Sequence, residues 1–165
     1  MLEPLQQWCC DSCGGIIDGS HNGFIEWEVE QRTQRISRPR IVHKSLECPY
    51  RDSDLATAWK TSAHVTLDLV AGHKCLPNLL SLLHDTVANG WADTEDGHAF
   101  VEVMRRAQLP YYEEARLFWN VALQASVHDG TMYDEATLLH ILRWKETEVI
   151  AGLEALRRQR EPASA

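Results

Sequence analysis

The stretch that decides the fold is WCCDSCGG, residues 8–15, because it places Cys10 and Cys13 in a C-x-x-C turn. His43 and Cys48 follow further along the chain. Two thiols of one turn can chelate a single ion, and a third thiol with one imidazole completes a tetrahedral zinc shell. The sequence therefore predicts one Zn²⁺ bound by Cys10, Cys13, His43 and Cys48.

Three alternatives remain open at this site. Cys9 could replace Cys10, although the turn would then lengthen to C-x3-C. His21 could serve as a ligand, but it lies in the polar turn DGSHNG, residues 18–23, where we expect it to be solvated. The cysteines could also be free thiols that are well spaced by chance. Four ligands, three of them thiolates, leave a weak Lewis acid, so we expect the zinc to be structural rather than catalytic.

The residues between the two ligand pairs predict a small antiparallel sheet. Residues 24–30 alternate in character over the length of a strand: Ile25, Trp27 and Val29 on one face, and Glu26, Glu28 and Glu30 on the other. A period of two predicts a half-buried strand. Residues 40–43, RIVH, read as the returning strand that brings His43 back to the cysteine turn. We therefore predict a zinc ribbon over residues 1–55.

The second half of the chain is predicted to be helical. Residues 56–72 mix β-branched and polar residues and read as a linker, whereas a period near 3.6 begins at residue 73. The first helix is expected to bury one apolar face and to end near Gly90: Leu76, Leu79, Leu80, Leu83 and Val87. Three more helices are expected over residues 94–107, 110–129 and 134–158, and residues 161–165 read as a frayed tail. The predicted class is α+β, with a bundle of about four helices over residues 73–160.

Composition limits the classes of function. The formal net charge is −8 and the sequence pI is about 5.4, which opposes a broad grip on nucleic-acid phosphates. No apolar run is long enough to span a membrane, and the first eight residues lack the basic and apolar regions of a signal peptide. We therefore expect a cytoplasmic protein without a membrane partner, in which the cysteines stay reduced.

One basic segment runs against the acidic balance, with five positive charges in thirteen residues: Arg32, Arg35, Arg38, Arg40 and Lys44. This segment could contact nucleic acid or an acidic partner. The favoured interpretation is that its arginines pair with the glutamates of the neighbouring strand, since opposite charges across a two-stranded sheet are common.

The remaining polar residues give weaker signals. His64, His73, Cys75 and His84 fit no metal-ligand spacing, and His128-Asp129 lacks a nearby nucleophile. No phosphate-binding glycine loop, nucleophile elbow or H-E-x-x-H motif is present in the sequence. Trp119 and Trp144 are candidates for a protein interface, where tryptophan is enriched. Leu142, Val149 and Leu156 are seven residues apart and could form a homodimer seam.

Several motifs resemble a group of small, largely uncharacterised bacterial and phage proteins with an N-terminal zinc ribbon and a helical C-terminal part. The shared features are W-x-C-D-x-C-G at residues 8–14, G-x-x-E-W at 23–27, VH at 42–43, CPY at 48–50 and RR-x-x-LP-x-YE-x-AR at 105–116. The resemblance implies the ligand set Cys10, Cys13, His43 and Cys48. It implies no activity.

These observations favour a non-enzymatic binding module. Zinc would stabilise the ribbon, and an acidic surface would contact a protein partner, as in an inhibitor or adaptor. The alternative is a nucleic-acid-binding regulator that uses the arginine-rich hairpin. A zinc-dependent hydrolase is the third hypothesis, and it requires an open coordination position.

Overall fold

The computed structural model describes residues 2–51, 55–56, 59–90, 94–130 and 133–160. The chain divides into two compact units, Met1–Glu113 and Glu114–Ala165. The first unit combines small antiparallel sheets with helices, so the α+β class is observed. No helix within the described ranges is both long enough and apolar enough to cross a membrane.

Five strands form two antiparallel sheets in the first unit: β1 (Gln7–Cys9), β2 (Ile16–Asp18), β3 (Gly23–Glu30), β4 (Ile36–His43) and β5 (Lys60–Thr66). β1 pairs with β2 on either side of the cysteine turn. The second sheet has the order β4-β3-β5, so β3 is its central strand. The predicted hairpin is therefore present, and its second strand begins at Ile36, earlier than the sequence indicated.

The α-helices with bounds inside the described ranges are α1 (Leu67–Val70), α2 (Leu76–Asn89), α3 (Thr94–Gln108), α4 (Tyr112–Ala115), α5 (Trp119–Gln124) and α6 (Glu135–Arg160). The predicted end of α2 is confirmed, because Gly90 follows it with a φ of 80°. The left-handed backbone at this position favours glycine.

The core of the first unit lies against one face of β3. Ile25 and Trp27 are buried there, as the alternation predicted. They pack in one cluster with apolar residues from both sheets and from three helices: Trp8, Ile17, Ile41, Val42, Leu67, Val70, Leu79, Val103 and Ala107. The Trp8 indole donates a hydrogen bond to the carbonyl of Arg106 at 3.0 Å, which ties β1 to α3. Burial of these side chains supplies most of the driving force for folding this unit.

The opposite face of β3 is also covered. Glu26 is 2% exposed and Glu28 is 3% exposed, although alternation alone predicts a strand with one solvated face. Cys48, Tyr50 and their neighbours lie over this face, and the backbone N–H of Tyr50 donates to Glu26 at 3.2 Å. The glutamates are tolerated there because cations pair with them.

The linker predicted over residues 56–72 is wrong for most of its length. Lys60–Thr66 forms β5 against β3, and Leu67 and Val70 of α1 are buried in the core. The error has a physical cause: β5 is an edge strand whose side chains are mostly half-exposed, so it lacks a clear apolar period.

The predicted division into a ribbon and one four-helix domain also differs from the structure. α2 and α3 belong to the same unit as the sheets, and the unit boundary falls after Glu113. The expected helix over residues 110–129 is split into α4 and α5. Tyr111 adopts a φ of 67° just before α4, so the helical path begins at Tyr112 rather than at residue 110. The single bundle over 73–160 is therefore not confirmed, and residues 161–165 lie outside the described residues.

The leucine face that the sequence predicted to be buried in α2 is mostly exposed. Only Leu79 of the predicted set is buried, whereas Leu76, Leu80 and Leu83 are 47%, 54% and 38% exposed. The side chain of Val87 lies outside the described residues. In α6, Leu138, Ile141 and Leu142 are buried.

Candidate metal centre

The four predicted ligands come together at one point in the first unit. The ligand atoms of Cys10, Cys13, His43 and Cys48 all lie within 4.8 Å of one another. His43 Nδ1 is 3.4 Å from Cys13 Sγ and 3.7 Å from Cys48 Sγ. Donors around one tetrahedral ion with bonds of about 2.0–2.3 Å are separated by similar distances. The cluster can therefore hold a single metal ion.

The cysteine turn is shaped by short backbone hydrogen bonds. Cys10 N–H donates to the carbonyl of Gly15 at 2.8 Å, and Gly14 N–H donates back to the carbonyl of Cys10 at 2.9 Å. Gly14 has a φ of 72°, a conformation that costs other residues free energy. Gly15 N–H points at Cys13 Sγ from 3.4 Å, and a Cβ at Gly15 would meet that sulfur at 3.3 Å. The turn thus places both sulfurs on the same side.

The second sheet delivers the imidazole. His43 is the last residue of β4 and pairs with Gly23, the first residue of β3. Its Nε2 lies 3.1 Å from the carbonyl oxygen of Ile16, which is a hydrogen-bond acceptor. The proton therefore sits on Nε2, and Nδ1 presents its lone pair to the three thiols. Metal-binding histidines are commonly oriented by such a carbonyl partner.

The surroundings change the acidity of the buried thiols. Burial raises the pKa of Cys10, but hydrogen bonds from the backbone of Cys13, His43 and Ser12 and from the His43 side chain lower it to about 7. The Ser45 hydroxyl lowers the pKa of Cys48, while burial and the neighbouring thiols raise it, with a net rise. Both sulfurs must lose a proton to bind a cation, so metal binding releases protons.

A buried ion-pair network holds the cysteine turn against α3, and we call it the Arg106 latch. Its members are Arg106, Asp11, Glu113 and the backbone of Cys9. The Arg106 guanidinium donates to both carboxylate oxygens of Asp11 at 2.9 and 2.7 Å, to both oxygens of Glu113 at 2.6 and 3.0 Å, and to the carbonyl of Cys9 at 2.7 Å. Charge-assisted pairs of this geometry are among the strongest hydrogen bonds in proteins.

The latch also joins the turn to β4. Asp11 Oδ2 accepts the backbone N–H of Ile41 at 2.7 Å, and Asp11 N–H donates to the carbonyl of Ile41 at 2.8 Å. Glu113 Oε1 accepts the N–H of Cys9 at 2.9 Å. Asp11 thereby holds the turn at the strand that carries His43. Sequence spacing gave no indication of this network, because Asp11 and Arg106 are 95 residues apart.

The other candidate ligands are not part of this cluster. In the parts of the chain that the structure describes, the one group of three or more metal-ligand side chains within binding distance is Cys10, Cys13, His43 and Cys48. Cys9 and His21 are outside it. Cys75 donates to the carbonyl of Asp68 at 3.3 Å, and His64 lies against the Phe24 ring at 4.6 Å.

The basic segment is divided between pairing and exposure. Arg38 pairs with Glu28 at 2.7 Å and Arg40 pairs with Glu26 at 2.7 Å, as the favoured interpretation expected. Four cations of the segment are exposed, namely Arg32, Arg35, Arg38 and Lys44, and of these Arg38 is in one of the two glutamate pairs. Lys60 of β5, which the sequence did not single out, also pairs with Glu28 at 2.6 Å.

The candidate residues Trp119, His128 and Trp144 of the second unit are half-buried, and Trp119 and His128 contact neighbouring groups. Trp119 is half-buried and stacks on Tyr133 with ring centroids 4.2 Å apart, and Trp144 is also half-buried. His128 Nδ1 accepts from Gly130 N–H at 2.9 Å, and its Nε2 faces the carbonyl of Trp119 at 3.0 Å. Both ring nitrogens are therefore occupied by backbone groups, which argues against an acid–base role with Asp129.

The homodimer seam is weakened by burial. Leu142 is 1% exposed and packs inside its own unit, whereas Val149 is exposed and the side chain of Leu156 lies outside the described residues. A residue buried in this way cannot contribute to a second helix without rearrangement.

Comparisons with protein-family models, curated proteins and solved structures find no match to this chain.

Proposed function

We propose that Cys10, Cys13, His43 and Cys48 bind one structural Zn²⁺ and that the chain is a non-enzymatic protein-binding module. The observation that carries the metal assignment is the closed set of four donor atoms within 4.8 Å. Three sulfurs and one imidazole nitrogen favour zinc over harder cations such as magnesium or calcium. With all four positions supplied by protein, no position is left for a reacting water.

The surroundings of the cluster support a structural role. Cys10 and Cys48 are buried and belong to the core cluster of the first unit. The metal would join the cysteine turn, the end of β4 and the segment that covers the glutamates. Binding free energy at such a site is folding free energy.

Metal analysis of the purified chain tests this assignment. We expect one zinc per chain in the wild-type protein and loss of zinc with a large drop in Tm in Cys13→Ser. Cys75→Ser is the matched control, since Cys75 lies outside the cluster and serine retains a donor for the carbonyl of Asp68. Equal zinc content in both variants would contradict the ligand assignment.

Cobalt substitution separates the structural role from the hydrolase hypothesis. A closed shell of three thiolates and one imidazole gives intense tetrahedral ligand-field and sulfur charge-transfer bands. Azide should leave this spectrum unchanged if the shell is closed. A shift on adding azide would reveal an open position and would favour the hydrolase.

The protein-binding part of the proposal is supported by an exposed apolar face, which we call the leucine row. It consists of Leu76, Leu80 and Leu83 of α2, at relative positions i, i+4 and i+7. This spacing places the three side chains on one face of a helix and suits the packing of an amphipathic helix from a partner. Exposed leucine side chains lower solubility, and burial in a protein interface offsets that cost.

Photo-crosslinking from a residue placed at position 80 tests the leucine row. We expect one protein partner to be captured, to bind again when both purified proteins are mixed, and to lose binding to Leu80→Glu. Leu69→Glu is the control, because Leu69 is comparably exposed but lies on α1. If both variants bind the partner equally, the leucine row is not the interface. Self-association in sedimentation would identify a second copy as the occupant.

The nucleic-acid alternative is kept for the exposed cations Arg32, Arg35 and Lys44 of the basic segment. It predicts binding that weakens steeply with salt and is reduced in Arg32→Gln/Arg35→Gln. Arg38 and Arg40 contribute less to this hypothesis, because each already pairs with a glutamate. Absence of a mobility shift at low salt would dismiss it.

A further inference from the structure

A polar cavity lies over the glutamate face of β3, and we call it the arginine pocket. It has a volume of about 440 Å³, within the range of small-molecule clefts. The charged and aromatic residues that line it are Glu28, Arg38, Arg40, Glu47, Tyr50, Arg51 and Lys60. The sequence analysis expected the arginines on this face only to neutralise the glutamates. That role alone does not account for the cavity.

Among the described residues, the pocket contains more positive than negative charge. The cations described there are Arg38, Arg40, Arg51 and Lys60, and the described carboxylates nearby are Glu26, Glu28 and Glu47, which leaves an excess of one positive charge within the described part of the chain. Glu28 receives both Arg38 and Lys60, and Glu26 receives Arg40. This local excess stands out in a chain of net charge −8.

Tyr50 fixes two guanidinium groups in the pocket. Its ring lies 3.7 Å from the Arg40 guanidinium carbon and 5.3 Å from that of Arg38. Its hydroxyl donates to the carbonyl of Arg38 at 2.8 Å. Arg40 uses Nε and Nη2 on Glu26 and the carbonyl of Cys48, and no partner for its Nη1 is found among the described residues. Fixed donors lower the entropy lost on binding an anion.

The backbone also directs Arg38 toward the pocket. Arg38 has a φ of 52°, a left-handed conformation that is unfavourable for a residue with a Cβ. It lies where the β3–β4 register shifts between Glu26 and Glu28. Its N–H is held by Asp96 Oδ1 at 2.7 Å. Such strain persists only where surrounding contacts enforce it, and it is concentrated at functional sites.

We propose that the arginine pocket binds the terminal phosphate of a small phosphorylated ligand. Guanidinium groups match phosphate oxygens with paired donors, and Lys60 adds a point charge. The concave shape and limited volume favour a compact phosphate group over the extended backbone of a nucleic acid. The zinc assignment and the leucine row do not depend on this proposal.

Calorimetric titration of inorganic pyrophosphate into the full, metal-loaded chain tests the proposal. We expect saturable binding at low ionic strength. Arg51→Gln and Arg38→Gln should each weaken it about tenfold, as expected for loss of one charge-assisted hydrogen bond. Arg35→Gln removes the same charge from the exposed hairpin outside the pocket and should leave the affinity unchanged.

Three outcomes would overturn the phosphate assignment. Equal weakening in all three variants would show a general effect of positive charge rather than a binding site. Absence of saturable heat would show that the pocket does not bind pyrophosphate. Citrate binding as tightly as pyrophosphate would assign the pocket to carboxylates. Zinc content and Tm measured without ligand separate a folding defect from loss of binding. If Arg38→Gln destabilises the chain, Arg51→Gln still decides the outcome, because Arg51 is exposed and no hydrogen bond or ion pair of its side chain is found among the described residues.

Discussion

The Arg106 latch and the arginine pocket use the same residue types in opposite ways. In the latch, the Arg106 side chain is 3% exposed and five short hydrogen bonds engage it. In the pocket, the Arg38 side chain is 65% exposed and holds Glu28 with one of its nitrogens. The latch leaves no donor for a ligand, whereas the pocket keeps donors directed at a cavity. A closed network of charges stabilises the fold, and an open one can also bind.

The largest effect should come from breaking the latch. Arg106→Met leaves Glu113 buried and Asp11 half-buried without their cation, and removing one partner of a buried pair costs about 3–5 kcal/mol. Urea unfolding of the metal-loaded chain measures this loss. Arg105→Met is the matched control, because its pair with Glu102 is 3.9 Å long and half-exposed, and such pairs contribute about 1 kcal/mol or less. Similar midpoints for the two variants would remove the distinction between the latch and an ordinary surface pair.

A smaller loss is expected for the most buried arginine of the pocket. Arg40→Met leaves Glu26, whose side chain is 3% exposed, with the N–H of Tyr50 as a partner. We expect a loss of about 2–3 kcal/mol, below that of Arg106→Met, because one carboxylate rather than two loses its cation and the N–H of Tyr50 still donates to Glu26. The double variant Arg40→Met/Glu26→Leu should recover part of this stability in the same urea experiment. Failure to recover would mean that Arg40 acts through its stacking on Tyr50.

Arg38→Gln should have little effect on stability, in contrast to both changes above. Lys60 still pairs with Glu28 at 2.6 Å, and an exposed pair contributes about 1 kcal/mol or less. The thermal midpoint should therefore stay near that of the wild-type chain while pyrophosphate affinity falls. A drop in stability as large as that of Arg40→Met would place Arg38 with the structural arginines.

The smallest effect on stability is expected from the ionisation of Tyr50, whose ring lines the pocket. Burial raises the pKa of Tyr50 from 10.0 to about 12, although the charges of Arg40 and Arg38 lower it. A raised folded-state pKa means that the stabilising contribution is complete below pH 10 and is lost as the pH rises through about 12. Stability of Tyr50→Phe should therefore fall less over this window than that of the wild-type chain. Parallel falls in the two proteins would show that Tyr50 does not contribute to this pH dependence.

The cluster of Cys10, Cys13, His43 and Cys48 is the part of the candidate site that the sequence determined best. The C-x-x-C turn encodes its own geometry through local hydrogen bonds and two glycines, so Cys10 and Cys13 could be assigned without knowledge of the fold. The alternation of β3 then predicted the hairpin that returns His43. The strand alternation also identified Ile25 and Trp27 as core residues correctly.

Long-range packing decided what the sequence could not. The period of α2 showed that leucines share a helix, but the tertiary contacts decided that Leu79 is buried and Leu80 is exposed. β5 lacked an apolar period because it is an edge strand, and its identity depends on pairing with β3. A local sequence pattern indicates whether a segment is a helix or a strand, but it does not show which other segments pack against each face.

The sequence by itself determined which four side chains could hold a metal ion and that glutamates lie opposite arginines. Only the tertiary structure decided that Glu26 and Glu28 are buried under a cavity and that Arg106 holds the cysteine turn from α3. The physical reason is that the sequence does not show whether a charged side chain is stabilised by water or by an ion pair. Tertiary packing decides this, because segments that are distant in sequence exclude water from one ion pair and leave another ion pair accessible to solvent.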